Sequence, residues 1–409
     1  MAKILFLAHR APFPPNKGDK IRAYHILEHL SRNHEIWLGA AADDSADLEY
    51  LAEARRRFAG AYFGALSPVS TAIHLAGAAL TGAPASVARF RHRGLARWVN
   101  ETLQRTQPDI VYVFSSAPAQ YVTGRLGART KLIVDFVDAD AQKWREYAER
   151  SGPPMRWVYG AEFRRLVRFD SGALAQAQAG ILVSETERRL FARFAPNEAR
   201  KLLVISNGVD AQYFAPPPSP SGPGADIAFT GMMDYKPNVD AVVWFAREIF
   251  PMVRARRSDA RFRIVGARPA QQVQALGALA GVEVVGAVED VRPHLFGAAA
   301  VVAPLRIARG VQNKVLEAMA AGRPLVATSA ALDGVGAEPG RDLLVADDAQ
   351  AFAAAVADVL CGRAPPGLGA SARAFALAHH QWSEVLAPLD ALIARVASGQ
   401  SAEASAEEG

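Results

Sequence analysis

"AAVVAPLRIARGVQNKVLEAMAAGRPLVATS", residues 299–329, decides the fold. It opens with an apolar run (299–305) and a loop holding Gly310. A helix is expected from about Asn313 to Ala321, then come Gly322, Pro324 and a second apolar run (324–329). Glycine and then proline is how a helix stops. Near-continuous Val/Leu/Ala runs on either side of a helix predict strands buried on both faces, as a parallel sheet requires. The stretch therefore reads as a β-α-β unit.

The alternation extends in both directions. Runs at 3–8, 34–41, 109–114, 131–137, 179–184 and 201–206 form one set; runs at 226–231, 261–266, 282–286, 299–305 and 324–329 form a second. Between the sets lies "FAPPPSPSGPGAD" (214–226), a Pro/Gly/Ser segment with nothing to bury. At 409 residues, 50% of them hydrophobic, the chain exceeds what one core serves. Two doubly wound α/β domains are expected, 1–214 and 226–371, joined by a linker at 215–225. Helices at 372–396 and a disordered tail at 397–409 complete the division. Open sheets bind ligands beyond the carboxyl ends of their strands, so the two domains are expected to face each other across a cleft.

Bulk composition excludes several classes. No stretch of about 18 apolar residues lacks a charge or a breaker, so no membrane-spanning helix is expected. "MAKILFLAHRAPFPP" reads as a first strand rather than a signal peptide. The single cysteine, Cys361, excludes an internal disulfide framework and a Cys-based zinc site, and fits a reduced cytosol. Up to Ala215 there are 29 Lys+Arg against 21 Asp+Glu, a net of +8; the remainder has 17 against 20, a net of −3. The basic residues are scattered without aromatic interleaving, which argues against nucleic acid. An anionic membrane face and a plain solvated surface both fit the charge.

The loops after the strands hold the candidate chemistry. Gly18, in "NKGDKIR", opens a helix where backbone N–H groups can approach an anion, with Lys17, Lys20 and Arg22 adding charge. Asp138 and Asp140 follow the run at 131–137; Asp138 reads as the ligand-facing acid and Asp140 as a helix cap. Gly231 and Gly266 end two strands of the second set, and Lys236 is placed to reach a phosphate. In the opening stretch, Gly310–Asn313 offers helix-start amides to a diphosphate, and Arg309 and Lys314 would neutralise it. Glu317 can accept two ribose hydroxyls; an acid there also simply compensates the helix dipole. Neither G-x-G-x-x-G nor a P-loop occurs, which counts against dinucleotide and P-loop chemistry.

"VISNGVDAQYF", "GMMDYKPNVDAV", "FRIVG", "VEVVGAVEDVRPHLFGAAAVVAPL" and "NKVLEAMAAGRPLVAT", in that order, resemble a retaining glycosyltransferase of the GT-B fold, glycosyltransferase family 4. "PPNKGDKIRAYHIL", "FSSAPAQYV" and "DFVDADAQKW" look further like sugar transferases of bacterial exopolysaccharide and exosortase systems. The resemblance covers roughly 1–396 and implies two Rossmann-like domains. It implies a UDP- or GDP-linked sugar donor held mainly by the second domain, with no cofactor and no metal.

Glu317 matches the family's ribose-binding acid, and Lys236 lies close to a diphosphate-binding lysine. Gly18 matches a loop approaching donor phosphate and acceptor. Gly231, Gly266, Arg309, Gly310 and Asn313 complete the donor set; Asp138, Lys236 and Lys314 are the catalytic candidates. Where many members carry a second Glu this chain has Arg309, and where they carry Gly-Arg it has Gly231-Met232.

The implied activity is transfer to a saccharide or lipid-linked acceptor in cell-surface glycan synthesis. The implied setting is cytoplasmic, with peripheral contact at the inner face of the membrane. A non-catalytic nucleotide-sugar-binding protein and a GT-B nucleotide-sugar 2-epimerase are the alternatives.

Overall fold

The structure, a computed structural model, describes residues 1–217 and 224–399. Part of the expected linker (218–223) and of the expected tail (400–409) lies outside the described residues. The chain divides into two compact units. One comprises Met1–Ile205 and the chain from Leu386 onward; the other comprises Ser206–Val385.

Unit 1 is built on seven strands: β1 (Lys3–Ala8), β2 (Glu35–Ala42), β3 (Gly60–Ala65), β4 (Ile110–Phe114), β5 (Lys131–Val137), β6 (Ala179–Leu182) and β7 (Leu202–Val204). Their order is β3-β2-β1-β4-β5-β6-β7, with every pairing parallel. The helices used below are α1 (Gly18–Ser31), α2 (Pro68–Thr81), α3 (Ala85–Ala88), α4 (Asp140–Glu149) and α5 (Met155–Gln176). The core lies between sheet and helices, where Leu5, Val111, Val113, Val134, Leu174 and Phe191 are all 2% exposed or less.

Unit 2 repeats the plan with β8 (Asp226–Thr230), β9 (Arg261–Val265), β10 (Val282–Gly286), β11 (Ala300–Ala303), β12 (Leu325–Ala327) and β13 (Leu344–Val345). Their order is β10-β9-β8-β11-β12-β13, again all parallel. Its helices include α6 (Lys236–Trp244) and α7 (Asn313–Ala320). A phenylalanine cluster fills its core: the Phe245 ring lies 4.5 Å from that of Phe262 and 5.9 Å from that of Phe352. The last helix, α8 (Trp382–Ala397), starts in unit 2 and enters unit 1 at Leu386. Within unit 1, His29 Nε2 lies 2.9 Å from Asp390 Oδ1.

Each sheet reverses its winding between its first and fourth strands, so the ligand crevice of each unit lies beyond the carboxyl ends of β1/β4 and β8/β11. Two strands have no counterpart among the expected runs. β3, "GAYFGA", lacks branched apolar residues, and β13 has two residues. Expectations for the loops after β1 and β5 also change. Lys20 and Arg22 do not add exposed charge: Lys20 is buried on Asp47 at 2.5 Å, and Arg22 on Asp135 at 2.9 Å. Asp140 is not a cap; α4 begins with it, and the cap residue is Ala139.

Candidate functional site

In unit 2 the crevice begins at the glycines. Gly231 follows β8 with φ +154°, and Gly266 follows β9 with φ +153°. A Cβ on Gly266 would stand 1.7 Å from the Gly231 carbonyl oxygen, so no side chain fits there. A Cβ on Gly231 would meet the Asn238 amide at 2.7 Å and Lys314 Nζ at 3.3 Å. These three residues form one cluster. Lys314 Nζ donates to Asn238 Oδ1 at 2.5 Å, and Asn238 Nδ2 donates to the Met232 carbonyl at 2.9 Å. The ammonium lies 4.8 Å from the centre of the Phe229 ring.

The turn before α7 forms the second wall. Gly310 is buried at φ +60°. Gln312, the cap residue, donates its side-chain amide to the carbonyls of Arg309 (2.8 Å) and Gly310 (3.2 Å), and no side chain caps α7. Val315 N–H and Leu316 N–H bond back to the Gln312 carbonyl at 2.9 and 3.4 Å, which leaves the Asn313 and Lys314 amides for another acceptor at the positive end of the helix dipole. Asn207 braces the turn, with Nδ2 3.1 Å from Asn313 Oδ1 and 3.5 Å from the Val311 carbonyl. Buried His380 holds that asparagine's own loop: its Nδ1 is 3.3 Å from the Asn207 carbonyl, and its backbone carbonyl accepts from Val209 N–H at 2.6 Å.

Glu317 lies one turn into α7, half-buried, and among the described residues its carboxylate has no hydrogen-bond partner. Burial pushes its carboxyl up to about 7, against the pull of Lys314. Burial likewise pushes Lys314 down to about 8, opposed by Glu317. An acid and a cation, each partly desolvated and less than one helical turn apart, suit a ligand that brings both phosphate and hydroxyls. Arg309 is half-buried at the head of the same turn. Lys236 is exposed at the first position of α6, two residues before Asn238.

In unit 1 the strand ends hold a different set. Gly18 opens α1 and is exposed, and its neighbour Asp19 takes His9 Nε2 at 3.1 Å and Arg10 at 2.5 Å. Burial raises the Asp19 carboxyl, but His9 and Arg10 outweigh it and hold the group well below the usual carboxylate range. Arg10 also reaches Asp43 at 2.7 Å. Asp138 is half-buried directly after Val137, a β-branched residue at φ +70°. Asp135 holds that turn from below: Oδ1 accepts Val137 N–H at 3.1 Å, while Oδ2 accepts Arg22 Nη2 (2.9 Å) and Tyr112 OH (3.0 Å).

The structure thus brings together Gly231, Lys314 and the Gly310–Glu317 turn within unit 2, and places Gly18 and Asp138 at strand ends of unit 1. Sequence reasoning passed over His9, Arg10, Asp19, Asp135, Asn207 and Asn238. The position of His9 and Arg10 directly after β1 was the available signal. The two asparagines gave none, because a neutral amide in a loop looks like a turn residue.

Residues 224–361 match the family model described as "Glycosyl transferases group 1". No curated protein matches the chain. Among solved structures, Anabaena HepE in complex with UDP is 16% identical with a TM-score of 0.68, over 96% of this chain and 99% of that one. Its UDP-glucose complex gives 16% and 0.67, over 96% and 100%. Sucrose-phosphate synthase from Thermosynechococcus elongatus is 14% identical with a TM-score of 0.69, over 98% and 100%. A glycosyltransferase from Rickettsia africae ESF-5 is 12% identical with a TM-score of 0.65, over 97% and 98%. At these identities the likeness is one of fold: two Rossmann-like parallel-sheet domains of the GT-B type.

Proposed function

We propose that this protein is a glycosyltransferase that takes a sugar from a nucleoside-diphosphate sugar. One observation carries the reading. Gly231, Asn238, Lys314, an uncapped helix start and an unpartnered Glu317 meet at the β8/β11 crevice, inside the segment that matches the group 1 family model. Glu317 accepts the ribose hydroxyls, and the amides of Gly310–Asn313 with Lys314 hold the diphosphate. The donor is uridine-linked in this reading, since the Anabaena structures of the same fold contain UDP and UDP-glucose.

Chemistry at such a site breaks the bond from the anomeric carbon to the nucleoside-diphosphate oxygen and forms one to an acceptor hydroxyl oxygen, whose proton passes to the leaving phosphate. The protein's task is to stabilise charge gathering on the leaving oxygens. Lys314, Arg309, Lys236 and the α7 amides supply that without a metal. Gly231 and Gly266, with no side chains, let the backbone approach the phosphates. In unit 1, Gly18 and Asp138 are the groups assigned to phosphate and acceptor hydroxyl. Retention of configuration, a hexose donor, a lipid-linked saccharide acceptor in exopolysaccharide synthesis and a cytoplasmic setting belong to the same proposal. So does the division of labour between an acceptor domain (1–214) and a donor domain (226–371), with 372–396 returning to the first.

Thermal-shift measurements test the donor site. UDP at about a hundred times its Kd should stabilise unit 2 by about 2.7 kcal/mol, a shift of roughly 5–10 °C. Glu317→Ala should weaken UDP about 10- to 100-fold, the worth of charge-assisted hydrogen bonds. An unchanged shift in the variant would remove the ribose role. Release of UDP from UDP-glucose on adding membrane extract then reads transfer itself. Binding without turnover would favour the alternative of a nucleotide-sugar-binding protein, for which Arg309 in a usually acidic position is the motive.

A further inference from the structure

α2 is anomalous for a helix of a folded domain. Its sequence, "PVSTAIHLAGAALT", contains no Asp, Glu, Lys or Arg, and Ala78 is its one buried residue. Val69 is 71% exposed, Ile73 63% and Leu80 90%. Spaced four and seven residues apart, these three lie on one stripe. Gly77 belongs to it, and a Cβ there would meet nothing within 4 Å. Burying such a stripe is favourable, and unit 1 does not bury it. The apolar stripe of α2 is thus not spent on a core.

A second apolar patch stands at the amino end of α5: Met155 (41% exposed), Trp157 (68%) and Val158 (54%). α3 links the two. It follows α2 after Gly82, and the buried Glu162 carboxylate of α5 accepts Ala85 N–H, Ser86 N–H (both 2.8 Å) and Ser86 Oγ–H (2.7 Å). The Val87 and Leu166 side chains pack together beneath.

The charge around both patches is mainly positive. Between Ser67 and Gly94 there are three arginines, Arg89, Arg91 and Arg93, and no acid. All three are exposed. Arg91 and Arg93 flank α2 closely enough that, after burial, they hold the His74 imidazole below its ordinary value. Between Arg150 and Phe169 there are five arginines and one acid, Glu162, which is buried and committed to α3. Arg145, Arg156 and Arg164 line a shallow hollow with Trp157 and Phe163, and its one acid, Glu149, is paired with Arg145 at 3.2 Å.

We propose that α2 and the amino end of α5 form a docking surface for an anionic lipid bilayer. Val69, Ile73 and Leu80 enter the acyl boundary, Trp157 sits at headgroup level, and the arginines engage lipid phosphates. Charge decides among occupants. A second copy placed against this face by a twofold would set arginine against arginine. An anionic bilayer answers the apolar stripe and the cations together. The surface goes beyond the glycosyl-transfer reading, since it lies in unit 1 and needs neither donor nor turnover.

Flotation of the full-length protein with phosphatidylcholine vesicles, with and without phosphatidylglycerol, tests it. Binding to the anionic vesicles should exceed neutral binding about tenfold and fall about tenfold between roughly 50 and 500 mM salt. The double variant Ile73→Glu/Leu80→Glu should lose about tenfold of that binding. Both side chains are exposed, so its melting temperature and UDP shift should match wild type; Trp157→Ala should lose part of the binding. Absence of flotation, or flotation unchanged in the double variant, overturns the proposal. So does a concentration-dependent dimer, broken by the double variant, with no vesicle binding. A retained UDP shift in any of these cases leaves the donor site standing.

Discussion

Lys314 and Glu317 set a pH signature that belongs to single residues. Burial raises the Glu317 carboxyl to about 7 and lowers the Lys314 ammonium to about 8. Glu317 costs the free fold nothing below its unfolded value, and its penalty grows as pH rises through about 7. Lys314 costs nothing above its unfolded value, and its penalty grows as pH falls through about 8. Both groups are therefore charged at a cost in the free protein between those values. Ribose hydroxyls favour ionised Glu317, and phosphate favours protonated Lys314. UDP affinity should be bell-shaped, greatest between about 7 and about 8, as titration calorimetry across pH will read. Glu317→Gln should flatten the acid limb and keep the alkaline one. A flat profile in wild type would separate these residues from the nucleotide. Glu317, Lys314 and the glycines stand out in the sequence because each follows an apolar run at the interval a strand end requires. Asn207 does not, because its partner Asn313 is 106 residues away and the fold alone joins them.

At the scale of elements, the end of β5 shows how a strand can carry strain toward a site. A bulge interrupts its pairing with β6 between Asp135 and Val137, and Val137 takes a left-handed conformation that costs on the order of 1–3 kcal/mol. Asp135, 0% exposed, keeps it there. Burial pushes the Asp135 carboxyl up despite Arg22, so the pair is costly to hold and costlier to break. Asp135→Asn removes the Asp135 charge from beside the buried Arg22 guanidinium. It should destabilise unit 1 by roughly 3–5 kcal/mol in urea denaturation, and a loss below about 1 kcal/mol would show that the network is not what holds the turn. None of this is readable from "KLIVDFVDAD". The apolar alternation there marks a strand, and Asp135 looks like an interruption of it. The long apolar runs were legible because burial on both faces leaves a continuous signature. β3 was not, since Gly60, Ala61, Gly64 and Ala65 take their places by close packing rather than by bulk.

The whole molecule holds two cores, and a ligand of one need not stabilise the other. Each sheet is closed over by its own helices, and all the proposed nucleotide contacts except Gly18 belong to Ser206–Val385. Ligand binding stabilises only the cooperative unit that must unfold to release it. With UDP at about a hundred times its Kd, amides that exchange through unfolding of unit 2 should slow about a hundredfold. These are the core strands β8, β9 and β11. The turn at Gly310–Asn313 should gain further protection from direct contact. Core amides of β1 and β4 should change much less, since Ile4–Leu7 and Ile110–Phe114 belong to the other unit. The chain passes between units at Ile205/Ser206 and again inside α8 at Leu386. That double crossing is the one covalent route by which stability gained in unit 2 could reach unit 1 without a direct contact. Hydrogen exchange with and without UDP therefore has a sharp outcome. Slowing confined to unit 2 means that the cores unfold separately. Equal slowing in β1 and β8 means that α8 and the 205–206 junction bind them into a single cooperative fold, and the two-domain account of stability fails.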